Sequence, residues 1–425
     1  MRFTLYTLLC SLLFINASLA QFKSTIGKER MVLNKRQYDS LQQVWAKSRT
    51  LQLKEEAKER LLASKTLDRS TEKLNLSNLG LSKLPKHIKE FHHLKRLELH
   101  NNQLTSIPKE VLQHVEYLDL GKNALHARNF RFKRNKSIKY LKFDQNQLDK
   151  LPRSLKKLKA LKVINLEDNH FNTIPPRVRK LKSVDEIGLN LNPINPNLPL
   201  KKPIKNIKTI RLNKCLLTKF PVCLLSMPQL QNIQLNRNRI TKLPENIDTL
   251  VNLTHFTAYI NEIGELPSGF YRLHNLEIAD LYFNRIKVIK PAIKNMRSLN
   301  ILYLSNNELY SLPEAIGDLS NLEKLYLHHN KFSYLPTNLS KLRQLKVLHI
   351  NHNLFEEFPP QILDLKNLED LDFSNNNIVD LPMEITTLKK LHLLFIQKNN
   401  YDEKARENLT ALIKFFANKG VQFNY

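Results

Sequence analysis

One frame of amino-acid types recurs along most of this chain and constrains its fold more than any other feature. The copy at residues 299–313 reads Leu-x-x-Leu-x-Leu-x-x-Asn-x-Leu-x-x-Leu-Pro. A single copy cannot bury its own apolar face, so the copies must stack on one another and share a core. The fifteen copies are 23 residues apart, except for one step of 21, and begin at Thr71, Leu94, Val115, Ile138, Leu161, Val184, Ile207, Leu230, Leu253, Leu276, Leu299, Leu322, Leu345, Leu368 and Leu391.

Each copy has the pattern of a short strand followed by a turn with an inward polar residue. In Leu325-Tyr326-Leu327 the leucines point inward and the tyrosine outward, because side chains alternate between the two faces of a strand. A buried amide is destabilising unless it is hydrogen-bonded, so we predict a ladder of asparagines that bond the backbone of their own and a neighbouring copy. The ladder residues are Asn102, Asn123, Asn146, Asn169, Asn192, Asn238, Asn261, Asn284, Asn307, Asn330, Asn353, Asn376 and Asn399, with Cys215 replacing Asn in one copy and Leu79 in the first.

Leu-Pro pairs such as Leu335-Pro336 then turn the chain. Proline fixes its own φ and disfavours helix in the residue before it, so a short helical or irregular return segment is predicted to start there. The chain contains only 8 Gly, and no two are spaced as a phosphate-binding loop or a dinucleotide site requires. The frame offers an explanation for this shortage, because its turns use the asparagine ladder and Leu-Pro.

The frame resembles that of leucine-rich repeat proteins, and its 23-residue, Leu-Pro-containing form is similar to the Ras-group or bacterial "typical" subclass. The resemblance covers residues 71–401. It implies an α/β solenoid, a leucine-rich repeat horseshoe with a concave parallel β-sheet and short helical or irregular convex segments. It also implies recognition of a protein or peptide ligand on the concave face. The cysteine-rich caps of secreted animal relatives are missing, so the chain looks more like an exported bacterial protein.

The N-terminus has the form of a secretory signal peptide. Arg2 precedes an apolar run over residues 3–15, and small residues precede a cleavage point after Ala20. A buried or membrane-anchored helix is the alternative, but the run is short for a membrane span. We therefore predict residues 1–20 as a signal peptide and a secreted, periplasmic or cell-surface protein, with no transmembrane span after signal removal.

Helix-prone segments flank the copies on both sides. Residues 21–70 predict an N-terminal helical cap over the exposed edge of the first copy, and a partner-binding helix is the alternative. Residues 402–425 predict a C-terminal cap. Its short helix would place on one face the residues Leu409, Leu412, Ile413 and Phe416.

The positive charge of the chain is concentrated in its middle. Residues 131–219 hold 23 Lys or Arg against 6 Asp or Glu, so they contribute +17 of the formal charge of +28. Such a field attracts polyanions, and a surface adhesin or a polyanion or glycan binder is therefore our alternative function. An acidic glycan or an anionic surface suits a secreted protein better than nucleic acid does, while a merely solvated face would explain the same charges. The candidate residues are Lys156, Lys157, Lys159, Arg177, Arg179 and Lys180.

The outward strand positions of the later copies are rich in aromatic and imidazole side chains. Adjacent parallel strands lie about 4.8 Å apart, so these side chains are predicted to form one contiguous surface over five copies. Tyrosine is enriched at interface hot spots, which makes this surface our candidate for partner binding. The alternative is that neighbouring tyrosines only stabilise the sheet. The residues are His255, Tyr259, Tyr282, Phe283, Tyr303, Tyr326, His328, His329, His349, His352 and Phe395.

No catalytic, metal or cofactor site is predicted. No nucleophile and base recur together at a strand end, and no motif such as His-Glu-x-x-His occurs. Histidine-rich surfaces without a carboxylate or thiolate ligand nearby are usually not zinc sites. Signal removal leaves Cys215 and Cys223, which do not imply a disulfide because Cys215 occupies an inward position.

Overall fold

The computed structural model describes residues 35–127 and 131–424. The chain divides into two units, Met1–Thr66 and Leu67–Tyr425. The described part of the first unit is one α-helix, α1 (Lys35–Thr66). The predicted signal peptide lies outside the described residues, and the capping role of residues 21–70 stays a prediction.

The second unit is built on one open parallel sheet of sixteen strands that pair in chain order. Each of the fifteen copies supplies one strand, and partners in the register are equivalent residues of successive copies, as Leu325 beside Leu302 and Leu348. The predicted α/β solenoid is therefore confirmed. The strands are Lys73–Asn75 (β1), Arg96–Glu98 (β2), Tyr117–Asp119 (β3), Tyr140–Lys142 (β4), Val163–Asn165 (β5), Glu186–Gly188 (β6), Thr209–Arg211 (β7), Asn232–Gln234 (β8), His255–Thr257 (β9), Ile278–Asp280 (β10), Ile301–Tyr303 (β11), Lys324–Tyr326 (β12), Val347–His349 (β13), Asp370–Asp372 (β14), Leu393–Phe395 (β15) and Gln422–Asn424 (β16).

Short 3-10 helices form the return segments on the convex side. Most begin directly after a proline such as Pro336, whose φ of −65° suits the turn. Within the described residues, β3 and β4 are joined without such a helix, as are β6 and β7, and these are the two copies whose sequence departs from the frame. The helices are Lys86–Glu90, Lys109–Leu112, Arg153–Lys157, Pro176–Lys180, Val222–Ser226, Ile247–Thr249, Phe270–Arg272, Pro291–Asn295, Glu314–Asp318, Thr337–Lys341, Pro360–Asp364 and Met383–Thr387.

One apolar core runs between the sheet and the 3-10 helices along the whole second unit. Strand leucines such as Leu325 and Leu327 are fully buried, as the alternation in the sequence predicts. Aromatic rings fill the wider spaces, and Phe256 and Phe270 meet edge to face at 5.6 Å. Each buried side chain of this size contributes roughly 1.5–3 kcal/mol relative to exposure.

The asparagine ladder has the predicted bonding. The Nδ2 group of Asn261 donates to the carbonyls of Leu235, at 3.0 Å, and Ala258, at 2.9 Å. Its Oδ1 atom accepts a hydrogen bond from the Ile240 backbone N–H at 3.0 Å. Equivalent bonds recur at Asn284, Asn307 and Asn330, among others, so each amide joins two successive copies.

Cys215 takes over part of the ladder function. Its Sγ donates to the Leu189 carbonyl at 3.3 Å, which is the bond that an asparagine side chain makes elsewhere. A thiol has no amide oxygen, and the Ile194 N–H bonds the Asn192 carbonyl at 2.8 Å instead. Cys215 and Cys223 are both buried free thiols. Burial raises the pKa of each to about 12, so neither is a thiolate at neutral pH.

The residue before each ladder position has left-handed backbone, which the sequence did not predict. The φ values lie between 50° and 61°. Left-handed backbone costs L-residues about 1–2 kcal/mol. The shortage of glycine therefore does not mean that these turns avoid left-handed backbone, because other residue types are held in it. The residues are Asn78, Asn101, Lys122, Gln145, Asp168, Leu191, Lys214, Arg237, Ile260, Phe283, Asn306, His329, His352, Asn375 and Lys398.

The C-terminal segment consists of α2 (Glu403–Asn418) and β16. The Asp402 side chain accepts a hydrogen bond from the Ala405 N–H at 2.7 Å and caps the helix. Leu412 and Phe416 are buried against the last copy. Strand β16 extends the sheet beside β15, an addition that the repeat frame does not indicate. Among the described helices, none is long and apolar enough to cross a membrane.

Candidate binding surfaces

The predicted concave residues come from four positions of the frame. His255 begins its strand, and the left-handed turn residues are Phe283, His329 and His352. The remaining residues either end a strand (Tyr303, Tyr326, His349, Phe395) or follow two residues later (Tyr259, Tyr282, His328).

Six of these side chains form one connected group, which we term the ring cluster. The rings of Tyr303 and Tyr326 stack with centroids 4.6 Å apart and planes 9° apart. His349 meets Tyr326 edge to face at 5.0 Å. The remaining histidines join through the stacked pair His329 and His352 and through His328. The ring cluster comprises Tyr303, Tyr326, His328, His329, His349 and His352.

The other predicted residues lie apart from the ring cluster. Tyr282 and Phe283 pack on each other at 5.9 Å. Across the described residues, no ring contact joins this pair, or His255, Tyr259 and Phe395, to the six. The contiguous rings therefore span three copies, fewer than the five that were predicted.

Acidic side chains border the ring cluster on both sides, and sequence reasoning missed them. Asp280 is the strand partner of Tyr303, and Asp372 is the partner of His349. The Nε2 atom of His349 lies 3.1 Å from Asp370 Oδ2, within ion-pair distance when the imidazole is protonated. Burial raises the pKa of Asp280. The register itself could have identified these residues, since each occupies an outward strand position.

Several buried polar atoms near the ring cluster have no hydrogen-bond partner within the described part of the chain. Besides His349 Nε2 of the cluster itself, they are four oxygens: Thr257 Oγ1, Asn351 Oδ1, Asp370 Oδ1 and Gln397 Oε1. Buried polar atoms in folded proteins are nearly always bonded, so such atoms call for an explanation. All four can accept a hydrogen bond, and a ligand that donates N–H or O–H groups would satisfy them.

Burial sets the charge state of part of the ring cluster. Burial, and then the neighbouring imidazoles, lower the pKa of His328 to about 4. Its Nδ1 lies 2.9 Å from the Ser305 hydroxyl. Burial also lowers the pKa of His329 and raises that of Tyr326 to about 12. At neutral pH the rings of His328, His329 and Tyr326 are therefore uncharged.

The lowered pKa of His328 makes stability depend on pH. The imidazole has a pKa near 6.5 when unfolded and about 4 when folded, so its contribution is present above pH 6.5 and is lost as pH falls toward 4. We expect the melting temperature to decline more in this window for the natural chain than for His328→Gln, which keeps a polar group near Ser305 but does not titrate. Thermal melts of both chains across the window measure the difference, and parallel curves would contradict the assignment.

The concave face of the early copies has a different character. Lys142 Nζ lies 3.1 Å from Asp119 Oδ2, and the Arg96 guanidinium lies 2.5 Å from Glu98 and 3.7 Å above the Tyr117 ring centroid. These charged side chains largely neutralise one another in ion pairs. The two halves of the sheet therefore present different chemistry, with ion pairs around Tyr117 and the exposed Tyr140 in the early half and the ring cluster in the later half.

The predicted polyanion-binding residues lie on the convex side, away from the ring cluster. Lys156 and Lys157 end one 3-10 helix, and Arg179 and Lys180 end the next. The same helices and their flanks carry Lys159 and Arg177. The two predicted groups therefore lie apart, on opposite faces of the copies.

The structure offers no metal centre at either surface. In residues 35–127 and 131–424, no three His, Cys, Asp or Glu side chains are grouped so that they could hold a metal ion. The four histidines of the ring cluster contact aromatic rings or each other, edge to face or tilted for His328 and His349 and stacked for His329 and His352. Their arrangement suits contact with a ligand surface.

Family models for the leucine-rich repeat match this chain at residues 93–115, 274–332 and 367–388. No curated protein matches it. Among solved structures, a leucine-rich repeat protein of Leptospira interrogans is similar, with 28% sequence identity and a TM-score of 0.64. That likeness covers 83% of this chain and 84% of the other.

Two further solved structures share the solenoid architecture. An internalin (InlF) from Listeria monocytogenes has 20% identity and a TM-score of 0.52, over 79% of this chain and 88% of that one. A plant peptide hormone receptor, RGFR1, solved in complex with RGF2, has 23% identity and a TM-score of 0.52. It is matched over 78% of this chain and 60% of its own. These two likenesses concern the fold alone.

Proposed function

This chain is a leucine-rich repeat protein, and from that premise we propose that it is a non-enzymatic interaction module that binds a protein or peptide on the concave face of its sheet. The observation that carries the proposal is the ring cluster. Leucine-rich repeat solenoids present an extended concave surface suited to recognition. The class of ligand is inferred from the residues of the site, because a fold alone does not determine function.

The ring cluster has the properties of a binding hot spot. Tyr303 and Tyr326 are already held against each other, so they lose little rotamer freedom when a ligand covers them. Tyrosine contributes a large contact area and one hydroxyl, which suits a mixed apolar and polar partner.

The polar surroundings favour a peptide or protein partner over a purely apolar one. The unpartnered oxygens of Asn351, Asp370 and Gln397 can accept hydrogen bonds from backbone or side-chain N–H groups of a ligand.

We also propose that the chain is exported to the periplasm, the cell surface or the medium. The proposal rests on the signal-peptide form of residues 1–20. Sequencing the N-terminus of the mature protein checks it.

Removing three rings should abolish partner capture. We expect the Tyr303→Ala, Tyr326→Ala, His349→Ala variant to capture at least about tenfold less partner than the natural chain, because hot-spot residues each contribute roughly 2 kcal/mol or more. Affinity capture from the native envelope, with quantitative mass spectrometry of each captured protein, measures the loss. Circular dichroism of the variant establishes that it is folded.

A matched control contains the same residue types elsewhere on the second unit. Tyr310, Tyr334 and His274 are exposed outside the strands and the ladder turns. Replacing these three by alanine should leave capture within about twofold of the natural chain. Equal capture by the ring-cluster variant and the natural chain would overturn the proposal.

A further inference from the structure

Basic side chains recur at two frame positions in consecutive copies, within and just after the return segment that leads to the next strand, and the net charge alone does not reveal this order. The first column of equivalent residues, 23 apart in sequence, is Lys136, Lys159, Lys182 and Lys205. The second column is Lys156, Arg179 and Lys202. We term these residues the basic columns.

The columns lie side by side because the copies are stacked in register. A parallel bridge pairs Asn135 with Leu158, directly before Lys136 and Lys159. Ser183 Oγ donates to the Lys159 carbonyl at 2.6 Å, which fixes the next copy against it. Neighbouring strands of a sheet are about 4.8 Å apart, so equivalent residues in each column follow one another at short, regular intervals.

The cations of the basic columns are exposed and uncompensated. All seven side chains are exposed, and none lies within 4.0 Å of a carboxylate in the described ranges. The chain also lacks any Asp or Glu between Glu186 and Glu245. In contrast, Arg272 and Lys346 in later copies pair with carboxylates at 2.7 Å and 2.9 Å. Uncompensated charges of one sign raise the local concentration of counter-ions.

Clefts indent the surface beside the columns. One of about 810 Å³ is lined by Lys156, Lys157 and Arg177 among others. Another of about 680 Å³ is lined by Arg179, Lys182 and Lys205. An extended chain can follow such indentations, whereas a flat membrane surface cannot enter them.

We propose that the basic columns form a second binding site, on the face opposite the ring cluster, for a linear acidic polysaccharide. Successive lysines neutralise carboxylate or sulfate groups along the polymer. Lysine is a compact point charge with little directional demand, which suits a flexible polymer. Single-stranded nucleic acid fits less well because it is bound by stacking on aromatic rings, and the phenylalanines Phe132, Phe143 and Phe171 are buried. The exposed Tyr140 begins strand β4 and belongs to the sheet face.

The test compares two triple variants of the full chain with equal loss of charge. The column variant carries Lys159→Gln, Lys182→Gln and Lys205→Gln. The control variant carries Arg297→Gln, Arg343→Gln and Lys389→Gln, which occupy the same frame position in later copies, outside the strongly basic residues 131–219. The natural chain and both variants are titrated with polygalacturonate, dextran sulfate and neutral dextran at low and physiological salt.

We expect the natural chain to bind both acidic polymers and not neutral dextran, with affinity that falls steeply with salt. The affinity of the column variant should be at least roughly tenfold lower than that of the natural chain. The affinity of the control variant should stay within about twofold of the natural chain. The ring-cluster variant should keep polymer binding, which separates this site from the concave one.

Several results would overturn the proposal. They are equal weakening in both triple variants, absence of polymer binding by the natural chain, and loss of polymer binding in the ring-cluster variant. Stronger binding to vesicles containing phosphatidylglycerol, or to a thymidine oligonucleotide, than to either polymer would assign the columns to a different partner.

Discussion

Asn261→Ala should lower the free energy of unfolding by about 2–4 kcal/mol, because three buried hydrogen bonds are lost at once. The Ile240 N–H is left without an acceptor, whereas the carbonyls of Leu235 and Ala258 each lose one of two amide donors and keep Asn238 and Asn284, respectively. Each lost bond costs about 1 kcal/mol, and the unsatisfied buried N–H costs about 1–3 kcal/mol. Urea denaturation measures the total, and hydrogen exchange should quicken first in the two copies that the amide joins.

Two other substitutions calibrate this result. Asn321 is exposed and donates one bond to the Arg297 carbonyl, so Asn321→Ala should cost less than about 1 kcal/mol. Cys215→Asn should be neutral or stabilising, because it restores an amide at a ladder position. A loss at Asn261 as small as that at Asn321 would show that the ladder is not a main source of stability.

Gly269→Ala should destabilise the chain by roughly 3 kcal/mol or more, for a steric reason. A Cβ atom at Gly269 would lie 1.8 Å from the Glu245 carbonyl oxygen of the preceding copy. The φ of Gly269 is −60°, which alanine readily adopts. The obstacle to alanine is therefore the lack of space for its Cβ atom and not the backbone conformation. Two convex turns would have to separate, and thermal and urea unfolding measure the consequence.

Gly264 provides the matched control within the same copy. No atom lies within 4 Å of a Cβ built there, and its φ is not left-handed. Gly264→Ala should therefore be neutral or stabilise by up to about 1 kcal/mol, since alanine restricts the unfolded chain. Equal losses at the two glycines would rule out the close approach of the turns as the cause.

The strands, core and ladder were predictable because identical spacing in every copy forces identical local environments. A leucine such as Leu325 is buried for the same reason as its equivalents. The left-handed turn was not predictable, because residues as different as Lys122, Leu191 and Ile260 occupy it. Bonds between copies impose that conformation, and local propensity does not. Strand β16 similarly forms by pairing with β15 and carries no copy of the frame.

The candidate surfaces were predictable to different degrees. Alternation along a strand identified which side chains face outward, but ring contacts depend on rotamers and on the frame position of each residue. His255 and Phe395 consequently lie apart from the ring cluster. The acidic border formed by Asp280, Asp370 and Asp372 became apparent through strand register.

The ladder bonds are directional, and this gives the chain a preferred order of assembly. The side-chain amide of Asn261 bonds its own copy and the one before it, and not the one after. A newly synthesised copy therefore brings with it the amide that completes its predecessor. A chain that emerges N-terminus first, from a ribosome or through a translocation channel, leaves at most its newest copy waiting for ladder bonds. The ladder bonds of such a chain can thus be completed in the order of synthesis, with those next to the C-terminal segment last.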